Sequence, residues 1–196
     1  LLAATLTYPV YATRARLDDR FNQLPRTLDG MAYMPHASYA DAPDGAVPVD
    51  MDLGQDYEAL IWMQDNIQGS PVVLEAWANL YRWGSRVSVY TGLPTVIGWD
   101  WHQNQQRPGY ADLINKRRAD VDAMFSADTS FQNIRPLLDK YHVQYIYIGP
   151  LERIYYGEDG VQKFEDAASE GLLERVYDQN GVTIYRYQTG ATAVAG

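Results

Sequence analysis

The sequence predicts an α/β fold: a mainly parallel sheet flanked by helices, with a C-terminal β-hairpin. Three observations lead there. Val72-Val-Leu-Glu-Ala76 is a short apolar run between Pro71 and Trp77, and it follows a stretch with helical apolar spacing. Tyr145-Ile-Tyr-Ile148 is a second run, closed by Gly149-Pro150 and again preceded by an amphipathic stretch. Residues 172–178 and 182–187 flank Gln179-Asn-Gly181, and Asn-Gly between apolar alternations is a strong hairpin signal because both turn residues accept positive φ.

The elements follow in chain order. Residues 1–16 are apolar and then meet Tyr8, Tyr11, Arg14 and Arg16, the residue types found where a helix leaves lipid. They read as the end of a transmembrane helix or as a membrane-proximal segment; the alternative is an N-terminal segment packing on the domain. Residues 17–188 read as a single α/β domain, and 189–196, small and apolar, as a tail. Pro25, Pro35, Pro43 and Pro48, with Gly30 and Gly45, make 17–50 irregular. Asp50 or Asp52 caps a helix running to about Asn66, with Tyr57, Leu60, Ile61 and Ile67 on its apolar face. A strand at 72–76, a short helix at 86–91 and a second strand at 94–98 come next. Helices are expected at 110–125, from Asp128 or Thr129 to Tyr141, and at 161–168. Pro136 would kink the second of these or delay its start.

Composition removes several function classes. The chain has 196 residues and a formal net charge of −9, from 25 acidic and 16 basic residues. A nucleic-acid partner is not expected, because such binders carry a basic face. The absence of cysteine excludes disulfides, thiolate metal sites and a cysteine nucleophile. No G-x-S-x-G elbow and no phosphate-binding glycine loop occurs, so no cofactor is assigned.

The segment 91–107, Thr-Gly-Leu-Pro-Thr-Val-Ile-Gly-Trp-Asp-Trp-His-Gln-Asn-Gln-Gln-Arg, concentrates the remaining chemistry. Trp99 and Trp101 could stack on the apolar face of a sugar; Asp100, His102 and Gln106 could read its hydroxyls; Arg107 could contact a phosphate. Trp77 and Trp83 lie close in sequence, and all four tryptophans could equally be core. Arg82, Arg86 and Arg107 suit an anion or surface ion pairs alike. On an extended segment Asp100 and His102 would share one face, with Glu75 as a possible third group. Two ligands do not close a metal site, so none is assigned and loop hydrogen bonds remain the alternative. Glu75 ends an apolar strand, where ligands of open α/β sheets sit.

Thr91-Gly-Leu-Pro-Thr-Val-Ile-Gly-Trp99 with His102 and Gln105-Gln-Arg107 resembles a motif of the YYY-type polytopic membrane proteins of bacteria and archaea. Pro25-Arg-Thr-Leu-Asp-Gly-Met-Ala-Tyr33 and the segment 141–153, followed by Tyr155-Tyr156, agree with it in order. The resemblance covers the chain to about residue 156. It implies an extracytoplasmic domain at the cell membrane. The expected partners are its own transmembrane region, the membrane surface, and an acceptor glycan or lipid-linked sugar. The layout is similar to that of GT-C glycosyltransferases, whose catalytic acid lies in the membrane part; no catalytic residue is therefore assigned in this chain.

Overall fold

A computed structural model describes residues 2–21 and 27–188. The tail expected at 189–196, and the Pro25-Arg26 start of one motif, lie outside them. The first helix, α1 (Leu2–Phe21), contains Pro9 and leaves Leu6, Tyr8, Val10, Tyr11 and Leu17 each more than half exposed. It does not bury these side chains on the domain. Among the described residues no helix is long and apolar enough to cross a membrane.

The stretch expected to be irregular holds a 3-10 turn, Met34–His36, and an antiparallel pair of strands, β1 (Ser38–Asp41) and β2 (Val49–Asp52). Helix α2 (Leu53–Asn66) follows at once. Asp52 is its N-cap and accepts the Gly54 N–H at 2.8 Å, satisfying one of the free donors of the first turn. Its buried face is Leu53, Asp56, Ala59, Leu60 and Met63. Tyr57 and Ile61 flank that face half-buried.

The main sheet has the order β3-β4-β6-β5, with β3 (Val72–Leu74), β4 (Val143–Ile148), β5 (Leu173–Gln179) and β6 (Val182–Tyr187). Only β3 and β4 run parallel; β4–β6 and β6–β5 are antiparallel. The expectation of a mainly parallel sheet is therefore corrected. The cause is the C-terminal hairpin, which is present as expected but docks its second strand on β4. The strand expected at 94–98 is also absent. Pro94 O accepts the Val73 N–H at 2.9 Å and Thr95 forms a single bridge, after which the chain turns away.

Alternation along the strands divides the core. Val73, Tyr147, Val182 and Ile184 pack with α2, the 3-10 turn and α3 (Arg86–Thr91). Leu74, Ile146, Ile148, Tyr185 and Tyr187 pack with α5 (Ala111–Phe125), α6 (Phe131–Lys140) and α7 (Pro150–Ser169). The remaining helix, α4 (Asp100–Gln106), occupies the polar-aromatic segment that the sequence suggested as a loop. Helix α6 starts at Phe131 behind a Ser130 cap, later than Asp128 or Thr129, and carries Pro136 inside. Helix α7 is longer than expected: Pro150, suited to the first helical position, starts it, and Gly157 (φ 68°, ψ 174°) interrupts it.

Candidate functional site

Trp99 precedes α4 in extended conformation, and Asp100 opens the helix. Asp100 Oδ1 accepts the Trp101 N–H at 2.7 Å, and Oδ2 stands 3.4 Å from Arg118 Nη1 on α5. The Arg118 guanidinium in turn lies 3.7 Å over the Trp77 ring, a close cation–π contact. The Trp99 ring meets Tyr81 edge-on at 5.4 Å, and Tyr81 meets the His102 ring at 6.3 Å. Trp101 is 55% exposed and Tyr81 60%, while His102, Gln106 and Arg107 are exposed.

Helix formation alters the geometry the sequence suggested. Asp100 and His102, two residues apart, are separated by about 200° around a helix, so they do not share the face an extended segment would have given them. Asp100 turns to Arg118, and His102 turns to Tyr81. The result is a ring cluster of Tyr81, Trp99 and His102, with Trp101, Gln106 and Arg107 exposed elsewhere on α4 and at its C-cap. Among the described residues no group of three or more His, Asp or Glu is arranged to hold a metal ion.

Glu75 does not join that surface. It is 2% exposed and belongs to a buried ionic cluster centred on Arg86, the first residue of α3. Arg86 Nη2 donates to Glu152 Oε2 at 2.6 Å and Nη1 to Glu75 Oε2 at 3.4 Å. Arg86 Nε stands 3.2 Å from Asp56 Oδ1, at ion-pair distance but without hydrogen-bond alignment. The guanidinium also sits 4.7 Å from the centre of the Tyr147 ring. Of the three arginines considered for an anion, Arg86 is thus enclosed, and Arg82 donates to Asp41 Oδ1 and Ala42 O, both at 2.9 Å. Arg107 alone lies on the α4 surface.

The three carboxylates around Arg86 are not equivalent. Asp56 accepts from Tyr147 OH and Trp83 Nε1, each at 2.5 Å. Glu152 accepts from the Ala76 N–H at 2.7 Å and the Gly149 N–H at 2.8 Å. Glu75 Oε2 accepts the Val87 N–H at 3.2 Å, and its Oε1 has no partner among the described residues. Burial pushes the Glu75 carboxyl up to about 8, Arg86 opposes that rise, and the nearby Glu152 and Asp56 charges add to it. The same carboxylates hold the Arg86 guanidinium charged against its burial, and burial followed by the Asp56 charge drives the Tyr147 phenol upward.

Sequence reasoning missed this cluster, although one signal was present. Leu53, Asp56, Leu60 and Met63 recur at helical spacing on the buried face of α2, which puts an acid in a core position. A buried acid needs a donor or a cation, and Arg86 in an otherwise uncharged short helix was available to supply it.

No family model matches this chain, and no curated protein is similar to it. The functional reading therefore rests on the chain's own residues and on the motif resemblance.

Proposed function

We propose that this chain is the extracytoplasmic domain of a polytopic membrane protein of GT-C glycosyltransferase type. In this reading the α4 surface binds an acceptor or a lipid-linked sugar beside a membrane-embedded active site. The observation that carries it is the contact of the exposed Tyr81 ring with Trp99 and His102, with Trp101, Gln106 and Arg107 exposed on the same short helix and at its C-cap. Rings offer the flat contact that a sugar's C–H face needs, and neighbouring donors and acceptors discriminate its hydroxyls. Exposed Leu6, Tyr8, Val10, Tyr11 and Leu17 on α1 support a membrane-side location for that helix, since water is a poor partner for such a surface.

A second reading is favoured by a specific observation. Trp99 packs on Tyr81 and Asp100 is tied to Arg118, as in a segment that braces the domain against the membrane part without a ligand of its own. The parent membrane protein, reconstituted in lipid with a lipid-linked sugar donor, separates the two. Binding predicts that Trp101→Ala and His102→Ala each reduce turnover at least tenfold while the domain's melting temperature stays put. Unchanged turnover in both variants would leave the bracing reading. The isolated domain is expected to transfer no sugar, and turnover by it alone would overturn the assignment of the catalytic acid to the membrane part.

A further inference from the structure

We infer that Glu75 is a proton-controlled latch on the loop 76–85: neutral Glu75 holds the loop and its Tyr81 wall against α4, and ionised Glu75 releases them. The loop begins and ends in the buried cluster. Glu75 precedes it at the end of β3, and Arg86 follows it. Two of its own groups are anchored there as well, the Ala76 N–H on Glu152 and the Trp83 indole on Asp56. Between the anchors the backbone is held in unfavourable conformations. Tyr81 (φ 55°) and Ser85 (φ 67°) lie in the left-handed region without being glycine, and Gly84 passes Ala78 so closely that an added Cβ would stand 2.8 Å from its Cβ. Such a conformation persists only while its surroundings over-determine it. The exposed end of the loop is Tyr81, which packs on Trp99 and His102. A change at the buried end therefore reaches the α4 surface through a short, strained connection.

Charge counting identifies Glu75 as the group that changes. The charged groups acting on it are Arg86 from α3, Glu152 from α7 and Asp56 from α2, and Tyr147 from β4 donates to Asp56 and lies under Arg86. One guanidinium cannot neutralise three carboxylates. Asp56 and Glu152 each have two other close donors, whereas Glu75 has one longer backbone bond and an oxygen with none. The excess proton therefore belongs on Glu75. When it leaves, the cluster gains a second uncompensated negative charge in a buried site. The relief available is for Glu75 to swing toward water, which displaces the junction from which the loop departs. Its carboxyl, raised to about 8 by burial, makes this transition accessible near neutral pH.

The inference rests on the binding reading only for its consequence, since the loop's response is measurable without a ligand. Hydrogen exchange of the 196-residue chain, corrected for intrinsic rate, is compared at pH 6.5 and pH 9 for the wild type and Glu75→Gln. Expected is a loss of protection of at least tenfold across 76–85 in the wild type at pH 9, with strand β4 unchanged. Glu75→Gln should keep the low-pH protection at both values. In parallel, fluorine-labelled tryptophan, with Trp99 assigned by Trp99→Phe, should show the Trp99 signal moving with the same midpoint as Tyr81 withdraws. Equal wild-type protection at both pH values, or the same loss in Glu75→Gln, would overturn the latch. Should Glu75→Gln fail to fold, infrared spectroscopy of the wild type decides: a protonated buried carboxyl at pH 6.5 that disappears by pH 9 supports the latch, and its absence at pH 6.5 refutes it. A loop that responds alongside turnover indifferent to Trp101→Ala would sink the binding reading alone.

Discussion

Arg86→Met is the perturbation that most directly tests the buried cluster. The side chain is fully enclosed, within 2.6 to 3.4 Å of carboxylates from α2, the end of β3 and α7. Methionine retains much of the stem's packing and removes the charge. Deleting one partner of a buried ion pair costs about 3–5 kcal/mol, chiefly because the remaining charge is stranded. Here the chain has another way out, which is to take up protons on the carboxylates left without a cation. Holding an ordinary carboxyl protonated costs about 4–5 kcal/mol at pH 7.5 and about 1–2 kcal/mol at pH 5. The penalty at pH 7.5 therefore lies between about 3 kcal/mol, if structure and water relax around the two remaining carboxylates, and about 9 kcal/mol, if two carboxyls must take protons. Against a total stability of about 5–15 kcal/mol, the variant should be marginal at pH 7.5. At pH 5 it should recover by several kcal/mol. Urea unfolding followed by circular dichroism at both pH values measures this. A loss under about 1 kcal/mol at pH 7.5, or an equal loss at both values, would refute the charge accounting.

The wild type should itself depend on pH through Glu75. Its folded pKa, about 8, lies above the unfolded value of 4.5, so its contribution is complete below the unfolded value and is lost as pH rises through 8. The slope between is about 1.4 kcal/mol per pH unit; denaturant melts from pH 5.5 to 7.5 should show it, and Glu75→Gln should abolish it. Gly149→Ala should destabilise by about 1–3 kcal/mol through overpacking, because a Cβ there would sit 3.0 Å from Tyr147 Cε1, 3.2 Å from Asp56 Oδ1 and 3.3 Å from Arg86 Nη2. A variant that melts with the wild type would contradict the tightness of the cluster. Ser130→Ala removes the cap that accepts the Asn133 N–H at the start of α6 and should cost about 1 kcal/mol by the same melts; no change would mean that another group takes that donor.

The parts of the fold that were legible share a property: their signals are local. Asp52 followed by apolar spacing marks α2, Asn180-Gly181 marks the hairpin, and the β-branched and aromatic run at 145–148 marks β4. What was missed depends on contacts far apart in sequence. The direction of β6 beside β4 is decided by how the hairpin docks, which no turn residue encodes. The β1–β2 pair forms among prolines because Tyr39 and Met51 pack against side chains of distant elements. The helix α4 was hidden by its lack of any buried residue, which removes the periodic apolar stripe on which helix reading depends. The site residues on α4 were nameable from their types, but Glu75 was assigned to the wrong surroundings, because its partner carboxylates are supplied by α2 and α7.

Arg86 and its three acids also explain why so short a helix as α3 holds its place. Six residues are too few to be stable alone, and the two that it buries are Arg86 and Val87. Val87 and half-buried Tyr90, which meets Trp83 and shares a 2.5 Å hydrogen bond with Tyr33, hold the rest of α3 but not its start. The guanidinium instead ties the start of α3 to α2, to β3 and to the first turn of α7, and Tyr147 beneath it brings in β4. A hydrophobic side chain of similar volume could fill the space, and replacement of a buried ion pair in that way is often neutral or stabilising. It could not fix direction, because apolar contacts tolerate sliding and rotation whereas a planar fork between carboxylates on different elements does not. On this argument the cluster is retained for the position it imposes on residues 76–85 and so on Tyr81, whose ring meets Trp99 and His102 beside α4. Replacing the whole cluster by well-packed apolar residues should then yield a folded protein whose Tyr81–Trp99 contact is lost.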